Sequence, residues 1–322
     1  MKNFRKISVV ALILGLLVVT ILIGWLGAGK VVHAILSVGP WQFGYFCLLQ
    51  LAVMVFLGVV WWVVAPAGIR RLGAFIRGRL VRDSAGSCLP FSVLGGLVAG
   101  ARAVSLYQVD WHVAAVSTIV DITTEFAAEI AFAAIGLVIL LVGVHSHQVH
   151  LAAEIGLGVA FVGMVLVVRL QHGVAPIFVS MGKRMLAPWI AQGEIDLGAE
   201  SELTASYGNP RTLALGTLLH FFGWLGKGLG NWLAFHLLGV GLPLVDALAM
   251  EGLLHAALAL AIAVPGYAGV QEAGYIGLGA LFGVPPDLCL SASLIRRARD
   301  MSIGIPVLLL WQLVEVKRLK HS

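Results

Sequence analysis

Apolar segments of about 20 residues recur along the whole chain, and they constrain its fold more than any other feature. A helix needs about 20 apolar residues to cross the hydrocarbon core of a bilayer. Charged residues make up only 11% of the 322 residues, whereas a soluble domain carries about 25%. We therefore predict an all-α, polytopic integral membrane protein. It should be a helical bundle of about eight spans that forms a single transmembrane domain over residues 1–322.

The predicted spans alternate with short polar loops. They cover residues 7–28, 43–65, 110–142, 151–168, 212–238, 244–264, 268–284 and 288–314. Residues 7–27 resemble a signal peptide, but this apolar run is too long, so we expect a first span. Residues 89–106 contain a proline and three glycines. They either cross the membrane or form a re-entrant or short helix.

Basic residues decide the predicted orientation, because short loops rich in lysine and arginine mark the cytoplasmic side. Such residues flank the N-terminus, form a basic segment at 69–82, and occur in the polar loop 171–211 and in the tail. If residues 89–106 are re-entrant, both termini and this loop lie in the cytoplasm. If residues 89–106 cross instead, the loop and the tail move outside, against the positive-inside rule. We therefore expect the first arrangement.

Three carboxylates lie inside the predicted span 110–142. Asp121, Glu125 and Glu129 are spaced by four residues, so they form an acidic stripe on one face of a helix. Each costs about 2.5–3.5 kcal/mol at the bilayer centre, or about 7–10 kcal/mol in total if nothing compensates them. They must therefore face protein or water. Either they attach this helix to a basic one, or they line a substrate path.

A helix break followed by a carboxylate is the second polar feature. The pair Pro265 and Gly266 ends the span 244–264. Gly269 then permits close approach of the backbone, and Glu272 begins the next element. Broken helices of this kind form substrate sites in transporters. A simple loop with an interfacial glutamate is the alternative.

Charges cluster again in the last span. Arg296, Arg299 and Asp300 share one helix face, and Arg297 points elsewhere. Arginine keeps its proton and suits carboxylate or phosphate partners. We expect this helix to pack near the acidic stripe or near Glu272, or to bind an anionic lipid head group. Alternatively, the helix begins at residue 301 and the arginines lie at the membrane interface.

Other polar residues are weaker signals. Glu251 and His255 are one helical turn apart, and we expect a hydrogen bond between them. His220, Lys227 and Asn231 follow another span amid four glycines, which are typical of close helix packing. No spacing of ligands predicts a metal site, and no glycine-rich phosphate loop predicts a nucleotide-driven motor. We expect no cofactor and no nucleic acid partner.

Two parts of the chain follow the same order of segments. A short segment rich in proline and glycine precedes a long charged helix at residues 90–142 and again at residues 265–314. This order favours a weak internal two-fold repeat with broken helices, a construction known from transporters. Because the match is one of pattern and not of residues, chance is the alternative explanation.

The late motif Pro265-Gly266-x-x-Gly269-x-x-Glu272 resembles a signature of the lysylphosphatidylglycerol synthase transmembrane family. That family has a second glycine at the position of Tyr267, which is a departure in this chain. The pattern that follows in the family is also similar at residues 283–286. Residues 120–126, 293–300, 303–306 and 311–315 look most like the hopanoid-associated branch of the family. The hydropathy of the whole chain agrees with this resemblance.

The resemblance implies a multi-pass protein of the bacterial inner membrane that moves a lipid across or out of that membrane. The cargo implied by the hopanoid-associated branch is a hopanoid or a related lipid. Membrane lipid is then the substrate, and proteins of lipid biosynthesis or export are candidate partners. The acidic stripe, the helix break, Glu272 and the late arginines would line the substrate path. Larger relatives carry a soluble aminoacyl-transfer domain that is absent here, so we expect no enzyme activity.

Two other functions also fit these residues. Intramembrane carboxylates occur in ion-coupled and proton-coupled transporters of small solutes. Carboxylates can also act as acid or base in a membrane-embedded lipid-modifying enzyme. Solute-dependent proton movement would indicate the former, and a new lipid product would indicate the latter.

Overall fold

The computed structural model describes residues 33, 36–66, 68, 71–89, 92–143, 147–170, 209–261, 264 and 267–319. Within these ranges the chain is helical and contains no strand. The helices are α1 (Pro40–Val64), α2 (Leu72–Cys88), α3 (Ser92–Ser105), α4 (Trp111–Gly143), α5 (His147–Leu170), α6 (Pro210–Leu237), α7 (Leu244–Ala259), α8 (Val270–Leu281) and α9 (Pro286–Leu319). The predicted span 7–28 and most of the predicted loop 171–211 lie outside the described residues.

Helix α4 is central to the bundle. It packs against α1, α3, α5, α6 and α7. Its buried face carries two of the three carboxylates of the acidic stripe, Asp121 and Glu125, while Phe126, Ile135 and Val138 are exposed on its outer face. The polar side of α4 therefore faces protein and its apolar side faces outward, as a membrane environment requires.

Helices α2 and α3 form an antiparallel hairpin that depends on glycine. A Cβ atom on Gly100 would lie 2.7 Å from Cβ of Arg82 and 3.0 Å from the carbonyl oxygen of Gly78. Helix α3 has 14 residues and is about 21 Å long, since an α-helix rises 1.5 Å per residue. That is shorter than the hydrocarbon core of about 30 Å. Whether residues 89–106 cross the membrane or re-enter it stays a prediction.

Helix α2 corrects the prediction of a loop in the basic segment 69–82, while its cytoplasmic placement stays a prediction. Residues 72–88 are helical, and two of the arginines assigned to that loop, Arg79 and Arg82, are buried in the bundle. The sequence pattern was misleading because a cluster of arginines is typical of loops. Here the two side chains have buried carboxylate partners, which are described below.

The second half of the chain also contains two short helices before a long one. Helices α7, α8 and α9 have 16, 12 and 34 residues. Helix α8 packs on both α7 and α9. Because α9 runs without interruption from Pro286, the alternative in which this helix begins at residue 301 is wrong. The late arginines lie well inside a continuous helix.

The connection before α8 has an unusual backbone at the position where the sequence departs from the family motif. Tyr267 has φ 53° and Gly269 has φ 78°. Glycine adopts such left-handed conformations without steric cost, whereas tyrosine does so only rarely. A glycine in the family signature at the position of Tyr267 is therefore consistent with this backbone.

Two of the described helices, α1 and α4, are long and apolar enough to span a membrane. Large apolar side chains are also exposed on the outer faces of α1, α5 and α9, among them Trp41, Val159, Phe161 and Leu310. So extensive an exposed apolar surface suits a lipid environment. The structure agrees with an all-α membrane protein, while the number of eight spans and the internal repeat stay predictions.

Candidate functional site

The acidic stripe of α4 pairs with the two buried arginines of α2. Arg79 donates to both carboxylate oxygens of Glu125, at 2.9 and 2.7 Å. Arg82 bridges the two acids, donating to Asp121 at 2.5 Å and to Glu125 at 2.7 Å. Arg79 also donates through Nε to Asp83 at 2.9 Å. The paired hydrogen bonds use the planar guanidinium fork, which matches a carboxylate.

Helix α6 completes this first site from the opposite side. His220 Nε2 lies 3.1 Å from Oδ1 of Asp121, and Lys227 Nζ lies 3.4 Å from Oε1 of Glu125. Both are on the face of α6 that packs against α4. We define the first ion cluster as Arg79, Arg82, Lys227, Asp83, Asp121 and Glu125.

A second site joins α7 and α9. Arg296 donates to both oxygens of Glu251, at 2.5 and 2.8 Å, and also to the hydroxyl of Tyr275 at 3.2 Å. His255 Nε2 lies 3.1 Å from Glu251, which confirms the predicted contact between these two residues. It also lies 3.0 Å from Arg296. Glu251 is fully buried, so these bonds replace the hydration that it lacks.

Glu272 pairs with the neighbouring arginine of α9. Arg297 donates to Oε1 of Glu272 through Nε at 3.1 Å and through Nη2 at 2.7 Å. The other oxygen of Glu272 accepts the backbone N–H of Gly269 at 2.8 Å. Glu272 therefore also caps the first turn of α8, where unpaired N–H groups favour a carboxylate. Of the alternatives predicted for this helix, the structure shows packing near Glu272, through Arg297 alone.

The third arginine of α9 pairs with its neighbour in the chain. Arg299 donates twice to Oδ1 of Asp300, at 2.9 and 2.8 Å, and its guanidinium lies 4.5 Å from the ring centre of Phe46 on α1. This cation–π contact helps to compensate a largely buried charge. We define the second ion cluster as Arg296, Arg297, Arg299, Glu251, Glu272 and Asp300.

Helix α6 connects the two clusters. The ring of Trp224 lies 4.6 Å from the ring of His255 and 3.8 Å from Nζ of Lys227. Two turns beyond Trp224 on α6, Asn231 accepts a hydrogen bond from the Tyr275 hydroxyl at 2.9 Å. A continuous series of polar and aromatic contacts therefore crosses the bundle from α2 to α9. The glycines of α6 permit this close packing, as the sequence predicted: a Cβ on Gly226 would lie 2.8 Å from Val53.

Each cluster is balanced in formal charge. The first contains three cationic side chains and three carboxylates. The second likewise contains three arginines and three carboxylates. Balance of this kind is expected in a medium of low dielectric constant, because an unpaired charge there is costly.

Glu129 is the exception among the core carboxylates that the structure describes. It is half-buried one turn beyond Glu125 on α4, and it makes no ion pair with a described residue. It interacts electrostatically with Lys227 and with Tyr267. Glu129 thus lies next to the first cluster and next to the connection that precedes α8. No arginine among the described residues forms an ion pair with it.

The predicted site residues are thus divided between two clusters. The acidic stripe does not pair with the late arginines, because α2 supplies its partners. Pro265 and Gly266 lie outside the described residues. Whether the members of the two clusters line a substrate path stays a prediction.

Several members of the network were not identified as site residues from the sequence. Arg79 and Arg82 were assigned to a loop, and Tyr275 was not considered. One signal was available for the arginines. Their spacing of three places both on one helix face, and that spacing is complementary to the spacing of Asp121 and Glu125. No group of histidines, cysteines or carboxylates among the described residues could hold a metal ion.

An all-helical bundle with an apolar exterior and paired charges in its interior defines a polytopic membrane protein. The chain belongs to the family described as the lysylphosphatidylglycerol synthase TM region, whose family model matches residues 12–307. No curated protein and no solved structure shows significant similarity to the chain. The predicted family is thus confirmed, and the hopanoid-associated branch stays a prediction.

Proposed function

We propose that this protein is a lipid transporter of the flippase type. It moves a lipid with a polar head group across or out of the bacterial inner membrane, with both of its own termini in the cytoplasm. The resemblance to the hopanoid-associated branch favours a hopanoid or a related lipid as cargo. Membership of the lysylphosphatidylglycerol synthase transmembrane family supports a lipid-related role.

The observation that carries the proposal is Glu129, a core carboxylate without an ion pair among the residues that the structure describes. Glu129 is half-buried, and it lies close enough to Lys227 for electrostatic interaction. One turn away on the same helix, Phe126 is exposed on the outer face. A head group that donates hydrogen bonds could bind at Glu129 while the apolar part of the lipid stays outside the bundle.

In this proposal the two ion clusters line the route that the lipid head group takes. Asp121, Glu125 and Glu251 are held by two or more partners each, so they position helices and do not bind cargo directly. Arg297 and Asp300 are about a quarter exposed at their side chains. They are the members of the second cluster that can contact a passing head group.

The test is lipid transfer in proteoliposomes with Glu129→Gln. This substitution keeps the size of the side chain and breaks no ion pair, so the protein should fold normally. We expect transfer to fall by at least about tenfold, which corresponds to about 1.4 kcal/mol in the barrier. The matched control is Glu315→Gln. Glu315 pairs with Arg102 at 2.6 Å outside both clusters, and its loss should change transfer by less than about twofold, or about 0.4 kcal/mol.

Lipid analysis of separated inner and outer membranes, with and without the protein, identifies the cargo. Transfer by Glu129→Gln at the rate of the unmodified protein would contradict the proposal, as would an unchanged lipid distribution without the protein. A new lipid product formed by the purified protein would indicate a lipid-modifying enzyme instead. Proton movement that depends on a solute and not on lipid would indicate a coupled solute transporter.

A further inference from the structure

A small polar pocket lies where α1, α2 and α9 meet, outside the contacts that join the two clusters. Its polar lining consists of Gln50, Asp83, Ser84, Ser87 and Asp300. All five side chains carry an oxygen atom, and they come from three different helices. The apolar lining is formed by Met54 of α1 and Ile303 of α9. The pocket has room for a particle about the size of a water molecule.

One hydroxyl in this pocket has no partner. Ser84 is 2% exposed, and its Oγ atom is buried without a hydrogen bond. A buried hydroxyl normally bonds to a helix carbonyl or to a neighbouring side chain, because leaving it unsatisfied costs about 1–3 kcal/mol. Ser291 shows the usual arrangement, since its hydroxyl donates to the carbonyl oxygen of Asp287 at 2.7 Å. The Ser84 oxygen has no hydrogen-bond partner among the described residues and can therefore serve as a ligand in this pocket.

The two carboxylates of the pocket are each only half engaged. Asp83 uses Oδ2 to accept from Arg79, and Asp300 uses Oδ1 to accept from Arg299. Their other oxygens make no bond to a described residue. Both side chains remain about a quarter exposed. Two carboxylates at one pocket repel each other, and a cation between them would relieve this repulsion.

We propose that this pocket binds a single sodium ion. Carboxylate, hydroxyl and amide oxygens are hard ligands that suit such cations and do not suit soft transition metals. Arg79 and Arg299 already balance the formal charge of the two carboxylates. A bound cation therefore adds net charge to the pocket, and a monovalent ion adds half as much as a divalent ion. Its small size excludes a quaternary ammonium group.

The position of the pocket gives the bound ion a role. Gln50 lies near the middle of α1, and Asp300 lies near the middle of α9. Arg79 and Arg299 attach the pocket directly to the first and the second cluster. Sodium binding would therefore bias how α2 and α9 pack on each other. The coupling role rests on the proposed transport function, whereas the binding site itself does not.

The test is thermal unfolding and ²²Na⁺ binding of the purified full-length protein in detergent without added lipid. Sodium chloride should raise Tm by about 2–4 °C over choline chloride at equal ionic strength, because a ligand that binds only the folded state stabilises it. Potassium and calcium should have smaller effects. Ser84→Ala removes only the unpartnered hydroxyl and should weaken sodium binding by about tenfold, the loss expected for one ligand worth about 1.4 kcal/mol. Asp300→Asn should abolish binding.

The matched control is Ser291→Ala, which removes a buried hydroxyl that already has a partner. It should keep the full sodium response. An absent sodium response in the unmodified protein would overturn the proposal, as would a response that Ser84→Ala and Asp300→Asn leave unchanged. Because binding is measured without lipid, a failed lipid-transfer assay would affect the proposed function and leave the sodium site standing.

Discussion

The region α2–α4 and the region α7–α9 both compensate buried charges with ion pairs between a short and a long helix, but the positions of the positive and negative residues are exchanged. Each contains two short helices followed by a long one, of 17, 14 and 33 residues in the first and of 16, 12 and 34 in the second. In the first region the short helix carries the arginines and the long helix the carboxylates. In the second region Glu251 and Glu272 are on the short helices, and their arginine partners are on the long one.

This comparison indicates that each buried carboxylate needs an arginine partner. It does not matter whether the arginine is on the short helix or on the long one. A guanidinium and a carboxylate compensate each other equally well in either order, provided that both are buried together. Both regions pack closely at glycine, at Gly96 and Gly100 of α3 and at Gly274 and Gly279 of α8. Gly277 of α8 is different, because no atom lies close to where its Cβ would be.

Reversal of one charge in the second region should have the largest effect. Glu251→Arg places two arginines together in a buried site, and we expect the protein not to accumulate in the membrane. The double exchange Glu251→Arg with Arg296→Glu restores the pair in the order found in the first region. We expect it to recover expression and a cooperative unfolding transition, measured by fluorescence-detected size exclusion. Equal behaviour of the single and the double variant would show that the order of charges is decisive after all.

Removal of one partner from the first region should have the next largest effect. Arg79→Ala leaves Glu125 and Asp83 without their principal partner, and we expect a loss of about 3–5 kcal/mol in the free energy of unfolding. The control is Arg102→Ala, which breaks a pair with Glu315 at side chains that are 32% and 21% exposed. Exposed pairs contribute about 0–1 kcal/mol. Similar losses in both variants would refute a special role of the buried cluster.

Gly100→Ala tests the packing of the first hairpin. The added Cβ atom would lie 2.7 Å from Cβ of Arg82, so α2 and α3 must separate. We expect a loss of about 1–3 kcal/mol, the usual cost of overpacking. A shift of Arg82 should also weaken its bridge between Asp121 and Glu125. Thermal unfolding gives the stability, and a double-mutant cycle with Asp121→Asn measures the coupling to the ion cluster.

Gly277→Ala in α8 is the matched change in the second region and should have the smallest effect. No described atom lies within 4 Å of the new Cβ, so the substitution adds helix propensity without a clash. We expect a gain of about 0.5–1 kcal/mol in stability. A loss of stability as large as that of Gly100→Ala would mean that the exposed face of α8 at Gly277 is packed as tightly as α3 is at Gly100.

The acidic stripe shows how much of the site could be predicted. Helical periodicity alone places Asp121, Glu125 and Glu129 on one face, and hydropathy requires that face to be buried. The partners could not be derived in the same way. Arg79 lies 46 residues before Glu125 in the chain, and its segment is as basic as a cytoplasmic loop. The three arginines of α9 were equally plausible partners for the stripe.

Glu272 and Glu129 show what the structure adds to residues that the sequence had already singled out. The resemblance identified Glu272 as a motif residue, and the structure adds that it pairs with Arg297 and caps α8. Glu129 looked equivalent to its two neighbours in the stripe. Only the arrangement of α2 and α6 distinguishes it, because their cations reach Asp121 and Glu125 and leave Glu129 without an ion pair among the described residues.

The sequence by itself determined that the chain is a helical membrane protein and which faces are polar. It also predicted a helix end at residues 265 and 266, whereas α7 ends earlier, at Ala259. These properties follow from composition and from the helical repeat, which are local. The tertiary structure decided which charges meet. Ion pairing depends on distances of 2.5–3.5 Å between side chains from different helices, and such distances are set by how glycine-rich helices pack. Packing therefore separated the paired carboxylates from Glu129 and brought Asp83 and Asp300 to one pocket.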